Sequence, residues 1–133
     1  MVDARQESVR LVAGAFEGWA ARNLDAMIAD LSEDFIQWHS HIGREFSLGE
    51  HQALVSKVLD HAVLDYHDIG YIALGNGEAV LVQCLCDVCV SGGGEARDVP
   101  FGLVYHLQGG KIVRCDEYMD GASLPDMGFL AED

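Results

Sequence analysis

Three glycine clusters, Gly75-Asn76-Gly77, Gly92-Gly93-Gly94 and Gly109-Gly110, punctuate the second half of the chain and leave β-branched and aromatic segments of strand length between them. Glycine adopts the positive-φ conformations that tight hairpins need, so this punctuation constrains the region to an antiparallel meander. It predicts strands near 64–74, 78–91, 97–108 and 111–120. The first half follows a different period. Val9, Val12, Ala13, Phe16, Trp19 and Ala20 recur at three and four, one stripe of a helix over about residues 3–22. After Asn23 the period resumes in Leu24, Met27, Ile28 and Leu31, a short helix over 24–31 with Asp25 in its first turn, where negative charge is favourable. Ser47-x-x-Glu50 has the form of a capping box, and Val55, Val58, Leu59 and Ala62 continue a third helix over 48–62. A short strand at 34–40 separates the second and third helices, and 121–133 reads as a tail. Helices first and a meander afterwards argue for an α+β fold, with the helices on the concave face of a curved sheet.

At 133 residues, half of them hydrophobic, the chain has material for one core and therefore one domain, 1–133. Eight Lys and Arg against 22 Asp and Glu give a net charge of −14, which repels phosphate backbones and anionic lipid surfaces, so neither nucleic acid nor membrane is an expected partner. The N-terminal residues carry Asp3, Arg5, Glu7 and Arg10 and lack the apolar core of a secretory signal, so the cytoplasm is the expected compartment. Strand alternation places Cys84 and Cys86 on one face and Cys89 on the other, which suits neither a disulfide nor a zinc knuckle; with Cys115 they are expected to be free and mostly buried thiols.

Several strings, in order, carry a family resemblance: Phe16-x-x-Trp19 followed by Asn23-Leu24-Asp25-Ala26-Met27, then Asp34-Phe35-Ile36-Gln37-Trp38-His39, then Leu48-Gly49-Glu50, and finally Gly110-Lys111-Ile112-Val113 with Glu117-Tyr118-Met119-Asp120. Together they resemble the nuclear-transport-factor-2-like superfamily, in its SnoaL-like (polyketide cyclase-like) and ketosteroid-isomerase-like branch. The resemblance covers nearly the whole chain. It implies a cone-shaped sheet closed by three helices around a mostly apolar pocket, and a homodimer formed through the sheet face. It does not imply a single activity, because the same fold carries isomerases, dehydratases, cyclases, epoxide hydrolases and binding modules. The steroid-isomerase pattern of a carboxylate base and two acidic donors is absent: His39 stands in the base's place, Phe16 in the tyrosine's and Leu103 near that of the protonated acid. The epoxide-hydrolase pattern has no counterpart either, and Arg97 and Asp98, beside a glycine turn, are expected to face solvent.

The resemblance to SnoaL-type cyclases places their catalytic aspartate at Glu117, the leading candidate base. Alternation along the last strand puts Glu117 on one face with Val113, Cys115 and Met119, an apolar row expected to raise its pKa toward neutrality. The competing reading ties Glu117 to a helix N-terminus or to Arg44. His39, on one face with Phe35 and Gln37, is the second candidate, either for acid-base work or as a hydrogen-bonded wall residue. Tyr105 shares parity with Leu103 and Leu107 and, if that row faces inward, offers a phenol to a ligand oxygen while His106 faces out. Phe16, Trp19, Phe35, Gln37, Leu103, Cys115 and Met119 are the expected pocket lining. Gln83 and Asp87 lie either on an outer sheet face or in the pocket, and His51, His61 and His67 read as surface or interface groups. His39-x-His41 offers two metal ligands with no third at identifiable spacing, so no metal is expected. Gly92-Gly93-Gly94 precedes a strand and not a helix, so no phosphate cradle and no nucleotide cofactor are expected. The expected partner is a small apolar, oxygen-bearing molecule, on which the protein performs cofactor-independent proton transfer of the isomerase, cyclase or dehydratase type. The alternatives are a non-catalytic module for a hydrophobic ligand and a dimeric interaction domain with a vestigial pocket.

Overall fold

A computed structural model of the chain describes residues 3–125 and 127. The elements run α1 (Ala4–Ala20), α2 (Leu24–Ile28), β1 (Leu31–His39), β2 (Arg44–Ser47), α3 (Leu48–His61), β3 (Ala62–Leu74), β4 (Ala79–Val90), β5 (Glu95–Gln108) and β6 (Lys111–Met119), with a 3-10 turn at Gly121–Ser123. The expected α+β architecture is present. One six-stranded sheet has the order β2-β1-β6-β5-β4-β3, antiparallel throughout except for the parallel pair β1 and β6.

Local chemistry accounts for the helix starts. Asp3 caps α1 by accepting from the Arg5 amide, and Asn23 caps α2 by accepting from the Ala26 amide. Ser47 and Glu50 form the reciprocal capping box of α3. α1 and α2 pack closely enough to require glycine at the contact: a Cβ on Gly18 of α1 would lie 2.8 Å from the backbone nitrogen of Met27 in α2. The meander follows the glycine clusters to within two residues at each strand end. β2 is an addition to the sequence reading. Residues 40–43 form a turn closed by the Gly43 amide on the His39 carbonyl at 2.8 Å, with Gly43 at φ +73°, and it returns the chain antiparallel to β1. The tail prediction falls partly outside the described residues; within them, a 3-10 turn is followed by Leu124 and Met127, which line the pocket.

The core lies between α1 and the concave face of the sheet, with Val12, Phe16, Val80, Val82, Cys86, Ile112 and Cys115 each 0 or 1% exposed. Buried residues alternate along β4, so Cys84 and Cys86 face the core, while Gln83 and Cys89 are exposed on the outer face and Asp87 is half-buried there. The open choice for Gln83 and Asp87 resolves in favour of the outer sheet face. Where β4 pairs with β5 the register slips between Cys86 and Val88, and Asp98 takes a positive φ of 55° in the bulge, leaving Arg97 and Asp98 mostly exposed.

All four cysteines are free. Burial pushes the Cys84 and Cys86 thiols up to about 12, and Cys115 is also raised by burial. The thiolate is the reacting species, so iodoacetamide at pH ~8 is expected to label the native protein at Cys89 alone. Peptide mapping before and after unfolding checks this, and native labelling of Cys86 would contradict the packing.

Candidate active site

The pocket opens between the concave sheet and helices α1 to α3. Its wall is mainly apolar, including Trp19, Phe35, Leu103, Phe101, Val55 and Met119, around a cavity of about 100 Å³. Leu124 and Met127, from beyond the 3-10 turn, also line it. Besides Gln37 and the phenols of Tyr66 and Tyr105, three imidazoles and a carboxyl break the apolar lining: His39 at the end of β1, His41 in the following turn, His51 in the first turns of α3, and Glu117 on β6.

Parallel pairing of β1 with β6 sets His39 beside Glu117 in the same register, on the same face. The Ser40 amide donates to the Glu117 carbonyl at 2.9 Å, and Ser40 Oγ accepts from the Met119 amide at 3.0 Å, so both strand ends are tied at this point. The side chains meet: His39 Nδ1 is 2.7 Å from Glu117 Oε1, and both residues are buried. Burial pushes the Glu117 carboxyl up, but attraction and the hydrogen bond from His39, with smaller contributions from His41 and His51, outweigh it and hold the pKa below the ordinary carboxylate value. This corrects the expectation of a carboxyl raised toward neutrality. The apolar row on β6 does not decide the titration, because the strongest neighbour comes from another strand. Val113 also leaves the row: it is the extra residue of a β-bulge opposite His106 and Leu107, and the inward positions are Ile112, Cys115, Glu117 and Met119. Arg44 pairs with Glu50 at 2.7 Å and is not the partner of Glu117.

With Glu117 ionised, the ring nitrogen facing it carries the proton and donates. His39 Nε2, across the ring, is then left buried with no protein partner. The neighbouring imidazoles share that condition. His51 is buried, 8% exposed, with Nδ1 unpartnered, and burial pushes its pKa down to about 4. His41 has both ring nitrogens unpartnered and is likewise pushed down by burial. The His39 ring centroid lies 5.7 Å from that of His41 and 6.3 Å from that of His51.

His51 is therefore not the surface group expected from the sequence. It stands four residues before the buried Val55 on the inward stripe of α3, a helical spacing that is itself a local signal. His67, by contrast, is half-exposed on the outer side among Asp68, Asp87 and Asp98, and His61 bonds the Lys57 carbonyl at 2.8 Å at the end of α3. Tyr105 and Leu103 face inward and line the pocket, and His106 faces out to Asp116 at 3.1 Å. The Tyr105 phenol is in contact with the Cys115 thiol, and burial raises its pKa well above the usual value. Trp19, Phe35, Gln37 and Met119 line the cavity. Phe16 and Cys115 do not: they lie in the core behind the wall, where Phe16 meets the Tyr66 ring edge-on at 5.1 Å. Tyr66 in turn accepts from Trp19 Nε1 at 2.8 Å, coupling that core to the wall.

A SnoaL-like domain model matches residues 12–115, most of the chain. The chain belongs to the SnoaL-like domain family. Among solved structures, a candidate polyketide cyclase from Xanthomonas campestris pv. campestris is 21% identical with a TM-score of 0.78, over 88% of this chain and 93% of that one. A second candidate polyketide cyclase, from Pseudomonas putida KT2440, is 20% identical with a TM-score of 0.78, over 87% and 93%. A hypothetical protein of ketosteroid-isomerase-like fold from Catenulispora acidiphila, solved in complex with trimethylamine, is 14% identical with a TM-score of 0.74, over 86% and 88%. No curated protein matches the chain. At these identities the structural likeness establishes the cone fold of the SnoaL-like family and not a substrate. Among the described residues, no helix is long and apolar enough to cross a membrane.

Proposed function

We propose that this SnoaL-like domain binds a small, apolar, oxygen-bearing molecule in the cone and moves a proton on it, with His39 Nε2 as the atom that takes and returns the proton. The observation that carries this reading is the buried His39 and Glu117 pair with Nε2 unpartnered in a mainly apolar lining. A carboxylate held below its ordinary pKa is a weak base, so the exchange of protons falls to the imidazole. Glu117 is the positioning residue: it fixes the ring and its tautomer and stabilises the imidazolium that forms when Nε2 is protonated. This exchanges the roles assigned from sequence, in which Glu117 is the base and His39 or Tyr105 the acid or donor. Tyr105 contributes wall and contact with Cys115. The neutral rings of His41 and His51 stand ready to hydrogen-bond a ligand oxygen. Abstraction of a proton next to a carbonyl is the step shared by isomerase and cyclase chemistry, and the pocket supplies what it needs: an oriented base in a largely water-excluding wall.

The test works with any ketone that fits the cone. Cyclic and aryl ketones are incubated with the protein and EDTA in D2O, and exchange of the proton next to the carbonyl is followed by NMR. The wild type is expected to accelerate exchange for at least one of them, and His39→Gln to lower that rate by about 100-fold or more. Glu117→Gln is expected to lower it less while preserving ligand affinity. Exchange that survives His39→Gln unchanged would overturn the assignment, and saturable binding without exchange would leave a binding module in its place.

A further inference from the structure

Proton transfer by His39 and Glu117 does not by itself require His41. Its two ring nitrogens are buried and unpartnered, a costly arrangement that proteins ordinarily avoid. His51 Nδ1 adds a third orphan in the same lining, and His39 Nε2 a fourth. One ring nitrogen of His39, one of His41 and one carboxylate oxygen of Glu117 all lie within 4.8 Å of one another. Two imidazoles and a carboxylate converging from two strands and a turn are the donor set that holds first-row divalent metals while leaving coordination positions open. The donors bring one negative charge inside a chain of net charge −14, a field that favours a dication over an anion. The H-x-H pair lacks a third ligand in the sequence, and the β1 and β6 pairing supplies it.

We infer that His39, His41 and Glu117 form a binding site for a divalent transition-metal ion, with its open positions facing the apolar cavity. His51 stands beside it as a further hydrogen-bonding or coordinating group. The second carboxylate and imidazole cluster, His67 with Asp87 and Asp98, is a poorer candidate, because it lies on the outer side, with His67 and Asp87 half-buried and Asp98 exposed, and both His67 nitrogens already meet carboxylates at 3.2 and 3.3 Å. The inference rests on the proposed pocket only for its location and not on proton transfer. The two are separable, since metal binding is measured without any organic ligand and the exchange assay contains EDTA.

The experiment is a titration of the EDTA-treated, dialysed chain with Co2+, read by visible d–d absorption and by equilibrium dialysis, followed by displacement with Zn2+. Saturation at one ion per pocket is expected, with an intense low-symmetry cobalt spectrum. His41→Ala is expected to weaken binding by about 100-fold, comparable to the larger effects of disturbing metal-site shells, while His67→Ala leaves it unchanged. A measurement on the unmodified protein guards against a variant that fails to fold: Co2+ should broaden the imidazole NMR signals of His39, His41 and His51 first, and those of His67 and His106 only at excess metal. Absence of saturable binding, loss of binding in His67→Ala, or broadening that begins at His67 would each overturn the site.

Discussion

Replacing His39 by leucine is expected to cost about 3 kcal/mol at pH ~8, in the range for removing one partner of a buried pair. The reason is asymmetric. Glu117 is buried, and without the imidazole 2.7 Å away its charge lacks the partner that contributes most to holding it ionised. The carboxyl must then either remain charged in a largely apolar wall or take up a proton. In the wild type its folded pKa lies below the ordinary carboxylate value, so its contribution to stability is present above that value and lost as pH falls through the folded pKa. In His39→Leu the folded pKa lies above the unfolded one, and the sign reverses. The penalty is full at alkaline pH and disappears as pH falls through the raised pKa toward the ordinary carboxylate range. Denaturant unfolding of wild type and variant from about pH 8 to about pH 5 checks this: the difference in stability is expected to shrink on acidification. A constant difference would mean that lost packing, and not a stranded carboxylate, accounts for the cost. Glu117→Gln leaves no stranded carboxylate, so it is expected to cost about 1 kcal/mol.

Phe16→Ala is expected to cost about 3 to 5 kcal/mol, the usual range for deleting a buried phenyl ring. Phe16 is fully buried in the inward stripe of α1, which itself packs on β3 and β4. For a domain of this size the loss corresponds to a fall in Tm of roughly 10 to 20 °C. A second effect should accompany it. Phe16 supports Tyr66, and Tyr66 holds the indole of Trp19 at 2.8 Å, so the cavity left behind opens next to the pocket wall. Trp19 fluorescence in the native state is expected to respond to Phe16→Ala at temperatures well below unfolding. A stability loss under about 1 kcal/mol would show that the α1 and sheet contact is not the centre of the core.

These two residues also mark the limits of what a sequence shows. Phe16 is legible as an inward residue of α1 because helical periodicity is local: positions three and four apart share a face whatever the rest of the chain does. Whether it lines the pocket or sits behind it is not legible, since core and lining differ only in what stands opposite, and Tyr66 arrives from a strand 50 positions later. His39 and Glu117 are each identifiable as candidates through the family resemblance, yet their contact is not. Seventy-eight residues separate them, and the parallel register that joins them belongs to neither strand alone.

The metal-ligand geometry is hidden in the sequence for the same reason, because the third donor is remote along the chain. The direction of the Glu117 pKa is hidden too: desolvation by an apolar row can be read from alternation, whereas a neighbouring imidazole cannot. His51 is a different case. Its place on the α3 stripe is local information, and only its polar character argues for the surface. What the sequence determined by itself was the set of local conformations, the capped helices and the glycine-closed hairpins, since these depend on interactions within a few residues. What the tertiary structure decided was which side chains meet inside the cone, since a bulge at Val113 and the parallel docking of β1 on β6 set that alignment, and both arise from packing between distant segments.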